Sequence, residues 1–184
     1  MKKIFVVVAI IAAIVGGRLV FLAQTSAPEV KQAPIPIISI DQILTATDLV
    51  AGVKQAVKNK DEQLFAQWME QAYQVGVAGQ LSEDDLAYLK SNQCADYLRF
   101  NAKRSLFNDE FELRYKALLP IDDLVAKYPE AADLISQADA LLLKRDSLIE
   151  QMAQTLAGSE PVQTSHIERA RRMWLEKYTA SEGG

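Results

Sequence analysis

The chain has 184 residues, of which 49% are hydrophobic and 24% charged, proportions typical of a folded protein rather than a disordered one. Its formal net charge is −4, and removing the cations Lys2, Lys3 and Arg18 leaves −7 for the rest of the chain. An acidic surface repels the phosphate backbone, so nucleic acid is excluded as an expected partner.

The first element is an apolar segment, residues 4–23, in which Arg18 is the sole charged residue. As a helix it would measure about 30 Å, the thickness of a hydrocarbon core, and the arginine would lie close enough to the outer end to reach the interface. A cleaved signal peptide is the alternative. It fits less well, because the bulky Phe21 lies where cleavage after Ala23 requires a small residue. We therefore predict a membrane anchor, or an uncleaved signal, over residues 1–23.

The flanking charges predict how this segment is oriented. Lys2 and Lys3 precede it, whereas a single arginine lies near its far end, which places the N-terminus in the cytoplasm. The predicted location is the inner (cytoplasmic) membrane, crossed once, with the C-terminal domain extracytoplasmic and periplasmic in a Gram-negative cell. Gly16 and Gly17 are candidate contacts for packing against another membrane helix.

Residues 24–40 contain three prolines and predict an extended linker. Its last part carries several isoleucines, which is unusual for a solvated tether. Two interpretations are open: the strip docks on the domain or on a partner as an added strand, or it is the hydrophobic lead-in to the first helix. The second is favoured.

Residues 41–179 predict one all-α domain, a bundle of about five or six helices. Asp41 is the expected cap of the first helix, whose apolar residues recur at steps of three and four. Asp61 is the expected cap of the second helix. The apolar row of the first helix comprises Ile43, Ala46, Val50, Val53 and Val57.

A third helix is predicted to open at Ser82, with Asp85 three residues further on as in a capping box. The pair Asn108-Asp109 is expected to interrupt it, and Pro120 to end it. Cys94, the single cysteine, lies within this helix. Because no internal disulfide can form, we predict that Cys94 is a small buried core residue.

After a short helix at 121–127, the longest element is predicted over residues 129–157, with Pro129 as its first residue. Large apolar residues recur along it in two rows with a spacing of seven. Two adjacent rows make a face wider than a coiled-coil seam, so a central bundle helix is favoured over a dimer zipper, although a homo-oligomer stays possible. The rows are Leu134, Leu141 and Leu148, and Ile135, Leu142, Ile149 and Leu156.

The final helix is predicted to begin at Ser165, with Glu168 completing a capping box, and residues 180–184 form a flexible tail. His166, the single histidine, has no Glu or His beside it at metal-ligand spacing and is interpreted as a surface residue. No catalytic residue, metal ligand or cofactor is predicted.

The densest group of cations, which includes Arg169 and Arg172, lies in this last helix. One interpretation is a solvated face, since Glu168 precedes Arg171 and Arg172 by three and four residues and can pair with both. The other is a docking face formed by Arg169, Arg172 and Trp174 against an acidic partner or anionic lipid headgroups.

These features predict a non-catalytic binding, chaperone or scaffold protein of a cell-envelope assembly. Its expected partners are a protein in or near the membrane and the bilayer itself, contacted through the N-terminal helix. One alternative is an exported, hydrolase-like helical enzyme with a cleaved signal peptide. Another is a small accessory subunit of a membrane complex.

Overall fold

The computed structural model describes residues 38–180, with side chains from 38 to 178. Over this range the chain forms eight α-helices and one 3₁₀ helix and contains no strand, which confirms the predicted all-α class for the described residues. The elements are α1 (Ile40–Leu44), α2 (Thr47–Asn59), α3 (Glu62–Ala78), α4 (Glu83–Leu89), α5 (Asn92–Ala117), α6 (Asp122–Lys127), the 3₁₀ helix (Pro129–Leu134), α7 (Ile135–Ala157) and α8 (Thr164–Ala180).

The predicted anchor, most of the linker and all but the first residue of the tail lie outside the described residues. Gly16 and Gly17 are among them. Within residues 38–180, no helix combines the length and the apolar character that a membrane crossing requires.

Eight helices replace the predicted five or six because two predicted helices are each divided in two. The first divides between α1 and α2, and its cap is Ser39 rather than Asp41. Ser39 Oγ accepts a hydrogen bond from the backbone N–H of Gln42, whose side chain accepts in return from the Ser39 backbone N–H. Ser91 divides the third, because its Oγ accepts from the Cys94 backbone N–H and starts α5.

Two other predicted caps are confirmed. Asp61 Oδ1 accepts a hydrogen bond of 2.9 Å from the backbone N–H of Leu64, at the start of α3. Ser82 Oγ accepts one of 3.1 Å from the backbone N–H of Asp85, at the start of α4. Both bonds satisfy N–H groups that the first turn of a helix leaves without partners.

The longest described helix is α5, with 26 residues, not the predicted element over 129–157. Asn108-Asp109 does not interrupt it, and it ends at Ala117, followed by Leu118 in the left-handed conformation two residues before Pro120. The predicted long element is shorter because the first six residues after Tyr128 form the 3₁₀ helix, and α7 has 23 residues.

Three hydrophobic clusters form the interior, and α5 contributes to all of them. The first joins α1 to α4 with the beginning of α5, and Cys94 is fully buried there, as predicted. The second surrounds Phe107 near the middle of α5. The third joins the end of α5 to α7 and α8. Helix α5 is therefore the central helix of the fold. The sequence predicted that role for residues 129–157.

Two glycines allow close packing in the first cluster. A Cβ atom at Gly52 would lie 1.9 Å from the ring of Trp68, so only glycine leaves room for the indole against α2. At Gly79 a Cβ atom would lie 2.2 Å from Ile38, the last part of the predicted linker. The isoleucine strip from Ile38 onward is thus the lead-in to α1 and packs on the helical body, and it does not form a strand.

Candidate partner-binding face of the C-terminal helical hairpin

Helices α7 and α8 form a hairpin closed by the loop of residues 158–163. Its buried seam combines two small residues, Ala153 and Ala170, with the larger Ile149 and Trp174. Alanine side chains let two helices approach closely. Large side chains at neighbouring positions are then left at the edges of the seam, and several of them are exposed.

Helix α8 is fixed to the end of α5 by Trp174, which is 6% exposed. Its indole N–H donates to the backbone carbonyl of Lys116 at 3.2 Å, and its ring meets Tyr115 edge to face at 5.6 Å. The last carbonyls of a helix have no donor within that helix. The indole satisfies one of these carbonyl groups and joins α8 to α5.

Arg145 of α7 fixes the same end of α5 and is the one buried charged residue of the described chain. Its guanidinium pairs with Asp146 at 2.7 Å, contacts the carbonyl oxygen of Tyr115 at 3.5 Å and lies 5.7 Å from the Tyr115 ring centre. A cation is favoured at the negative end of the helix dipole. Burial, followed by the nearby Tyr178, raises the pKa of Tyr115, with Arg145 opposing, so the phenol stays neutral at physiological pH.

Sequence reasoning missed this role of Arg145, although a signal exists. The residue continues the apolar row of Ala138 and Leu142 toward Ile149 at steps of four, three and four. A cation inside an apolar row predicts either a break in the apolar periodicity or a buried charge that has a polar partner.

The start of α8 differs from the predicted capping box. The helix begins at Thr164, so Ser165 is already inside its first turn. His166 performs the reciprocal half of a box instead, because its Nδ1 accepts a hydrogen bond of 3.2 Å from the Gln163 backbone N–H. The histidine is therefore part of the helix start.

The arginines of the described chain fall into two groups. Four of them, on α5 and α7, each form an ion pair with a carboxylate. Three of them, on α8, are exposed and form no ion pair with a described carboxylate, so Glu168 does not pair with Arg171 or Arg172. The pairs are Arg99–Glu62, Arg104–Asp133, Arg114–Asp123 and Arg145–Asp146.

An apolar groove of about 430 Å³ runs beside the seam. Leu148 of α7 and Met173 of α8 stand on its two sides and are 39% and 43% exposed. The full lining is Leu148, Gln151, Met152, Thr155, Met173, Trp174 and Lys177.

The predicted docking residues are thus separated by the structure. Arg169 and Arg172 are exposed on α8, whereas Trp174 is buried and borders only the floor of the groove, so it does not share their surface. Among residues 38–178, no group of His, Cys, Asp and Glu side chains is arranged to hold a metal ion.

Comparison with models of known protein families, with curated proteins and with solved structures gives no match. The side chains of the hairpin therefore provide the basis for a proposed function. They combine an apolar groove with exposed guanidinium groups that form no ion pair within residues 38–178.

Proposed function

We propose that this chain is a non-catalytic binding or scaffold protein of a cell-envelope assembly. Residues 1–23 hold it in the cytoplasmic membrane, and the helical body lies outside. In this proposal the body binds a partner protein through the hairpin, with Arg169 and Arg172 contacting acidic groups of that partner.

The observation that carries the proposal is the contrast between the two groups of arginines. Each of the four described arginines on α5 and α7 pairs with a carboxylate, whereas the three on α8 pair with none of the carboxylates that the structure describes. Leaving them unpaired costs the folded state little, because an exposed ion pair contributes only about 0–1 kcal/mol. Helix α8 thus carries exposed guanidinium groups and also lines an apolar groove through Met173 and Lys177, and arginine is enriched in protein interfaces.

The proposal is non-catalytic because the two side chains best suited to nucleophilic or acid–base chemistry are engaged elsewhere. Cys94 is fully buried, and burial raises the pKa of its thiol, which disfavours the reactive thiolate. His166 uses Nδ1 to accept the Gln163 N–H at the start of α8. Neither lines the groove.

The test is crosslinking of the full-length chain in intact membranes, followed by identification of the crosslinked protein. The double variant Arg169→Glu, Arg172→Glu should lose the crosslinked species. The matched control is Lys58→Glu, Lys60→Glu, which makes the same change in net charge at exposed positions near the end of α2. The control should retain it.

Unchanged crosslinking in the arginine variant would contradict the proposed binding surface. The membrane part is tested separately. Full-length chain with residues 1–23 attached should fractionate with membranes, and a freely soluble, shortened chain would contradict the anchor.

A further inference from the structure

Residues 121–134, which we call the strap, contain α6 and the 3₁₀ helix and have little stability of their own. Each of these two helices has only six residues, and neither has a side-chain hydrogen bond that caps its start. Helices this short are marginal in water without tertiary contacts, because nucleating the first turn is unfavourable. The helical structure of the strap therefore depends on the element against which it packs.

The backbone that leads into the strap is irregular. Leu118, which follows the last residue of α5, has a φ of 57°, in the left-handed region that a residue with a Cβ atom seldom adopts. The hydrogen bonds of α5 end here, since the backbone N–H groups of Leu118 and Leu119 both donate to the Arg114 carbonyl. The strap can accordingly leave α5 without unwinding it.

Four ion pairs hold the strap along α5. They follow one another in antiparallel order, so that the end of α5 pairs with the start of the strap. The paired residues of α5 extend over about 16 Å of helix. The pairs are Arg114–Asp123, Glu110–Lys127, Lys103–Glu130 and Arg104–Asp133.

The two guanidinium groups of this row also bind the backbone of the segment that they hold. Arg114 Nη1 donates to the carbonyl oxygen of Pro120 at 2.9 Å, directly before the strap. Arg104 Nη1 donates to the carbonyl oxygen of Glu130 at 2.9 Å, inside the 3₁₀ helix. Hydrogen bonds from a charged donor are stronger than neutral ones. The arginines therefore fix the path of the main chain as well as the side chains.

The strap covers the aromatic middle of α5. Leu124 and Ala131 are fully buried in the second cluster, where Phe107 is 1% exposed. The ring of Tyr128 meets that of Phe107 edge to face at 6.4 Å, and its hydroxyl donates to Glu110 Oε1 at 2.6 Å. Opening of the strap would uncover this aromatic face of α5.

We infer that the strap opens from α5 as a unit, independently of the rest of the fold, and that the four ion pairs hold it closed. The carboxylates of Asp123 and Asp133 are 64% and 66% exposed, so dissolved ions reach them and screen their attraction to the arginines. The inference does not depend on the proposed binding function, because no residue of the strap lines the groove between α7 and α8.

The test is hydrogen–deuterium exchange of the full chain in nanodiscs of zwitterionic lipid, followed by mass spectrometry of peptides from the strap. Arg104→Gln removes one ion pair and the bond to the Glu130 carbonyl, and it should accelerate exchange in the strap by about tenfold. Arg99→Gln is the matched control, since Arg99 is also on α5 but pairs with Glu62 of α3. The control should leave exchange in the strap unchanged.

Two further measurements separate the ion pairs from other causes. Asp133→Asn removes the same ion pair from the strap side, so the double variant with Arg104→Gln should exchange no faster than Arg104→Gln alone. Added salt should accelerate exchange in the strap of the unaltered chain and leave α2 to α4 protected.

The inference is overturned if Arg104→Gln leaves exchange in the strap unchanged, or if Arg99→Gln accelerates it equally. It is also overturned if the double variant shows the full sum of the two single effects. Acceleration that is equal in the strap and in α2 to α4 would mean that the strap opens only when the whole chain unfolds, which would likewise overturn it.

Discussion

The two ends of the described chain are built differently. The region of α1 to α4 with the beginning of α5 buries eleven hydrophobic residues in its cluster, whereas the hairpin cluster buries four. In the first region, Arg99 is paired with Glu62 and also lies over the ring of Phe65 at 3.7 Å. In the hairpin, the arginines of α8 have no such partners.

The two regions thus differ in the number of hydrophobic residues that they bury and in whether their arginines form ion pairs with described carboxylates. The first region pairs its arginine, Arg99, internally, but it also exposes large apolar side chains, among them Val50, Val75, Val77, Tyr97 and Phe100. The hairpin is held to α5 by a few specific contacts, those of Trp174 and Arg145, and leaves an apolar groove whose lining includes one cation, Lys177. Interfaces that bind partners are drawn from such surfaces.

The largest effect on stability is expected in the first region. Leu89→Ala should lower the free energy of unfolding by about 3 kcal/mol, because Leu89 is 1% exposed and its loss leaves a cavity. Leu148→Ala in the hairpin should cost less than about 0.5 kcal/mol. Urea unfolding followed by circular dichroism measures both, and equal losses would remove the contrast between the regions.

A second substitution tests close packing in the first region. Gly52→Ala should destabilise the protein by about 2 kcal/mol, since the added Cβ would lie 1.9 Å from Trp68. The effect should disappear in a Trp68→Ala background, where the ring that obstructs the Cβ is absent. A full additive loss in the double variant would show that the two residues do not oppose each other.

Trp174→Phe should have a smaller and more local effect. The phenyl ring keeps most of the packing but cannot donate to the Lys116 carbonyl, a loss of about 1 kcal/mol. Hydrogen exchange should accelerate in α8 while α2 to α4 stay protected. Faster exchange throughout the chain would mean that the hairpin does not open independently.

The smallest effect concerns the cluster between the two regions and depends on pH. Burial alone would raise the pKa of Glu110, but hydrogen bonds from Lys127 and Tyr128, with the charges of Lys127 and Arg114, outweigh it and lower the pKa. A lowered pKa stabilises the folded state above the unfolded value, and this contribution is lost as the pH falls through the folded value.

Glu110→Gln should therefore cost about 1 kcal/mol at neutral pH and little in acid, once the pH is below the lowered pKa of the folded state. The measurement is urea unfolding at neutral and acidic pH. An equal cost at both would contradict a role for the charged carboxylate.

Local signals in the sequence predict part of the helix starts, because a capping side chain bonds an N–H only two or three residues away, but the predicted caps Asp41 and Ser165 are wrong. Asp61 and Ser82 are caps as expected. Ser91 is not recognised, since the apolar periodicity continues across it and conceals the break.

Packing between elements that are distant in sequence is not predicted by the local patterns. The two leucine and isoleucine rows of α7 are alike in composition, and which one is buried depends on where α5 and α8 lie. Likewise Arg145 is recognisable as a cation in an apolar row, but its partner, the Tyr115 carbonyl, is 30 residues away. Arg169 and Arg172 are predictable as candidates from their charge, whereas the burial of Trp174 depends on the end of α5.

The most direct test of the binding role assigned to the hairpin is site-specific photocrosslinking of the full chain in membranes. A photoreactive amino acid is placed at Leu148, at Met173, and, as controls in the other regions, at Val50 and Leu113, which are also exposed. Adducts with a second protein from the two hairpin positions, and none from the controls, are the predicted result. Adducts from Val50 or Leu113 without any from the hairpin would contradict it.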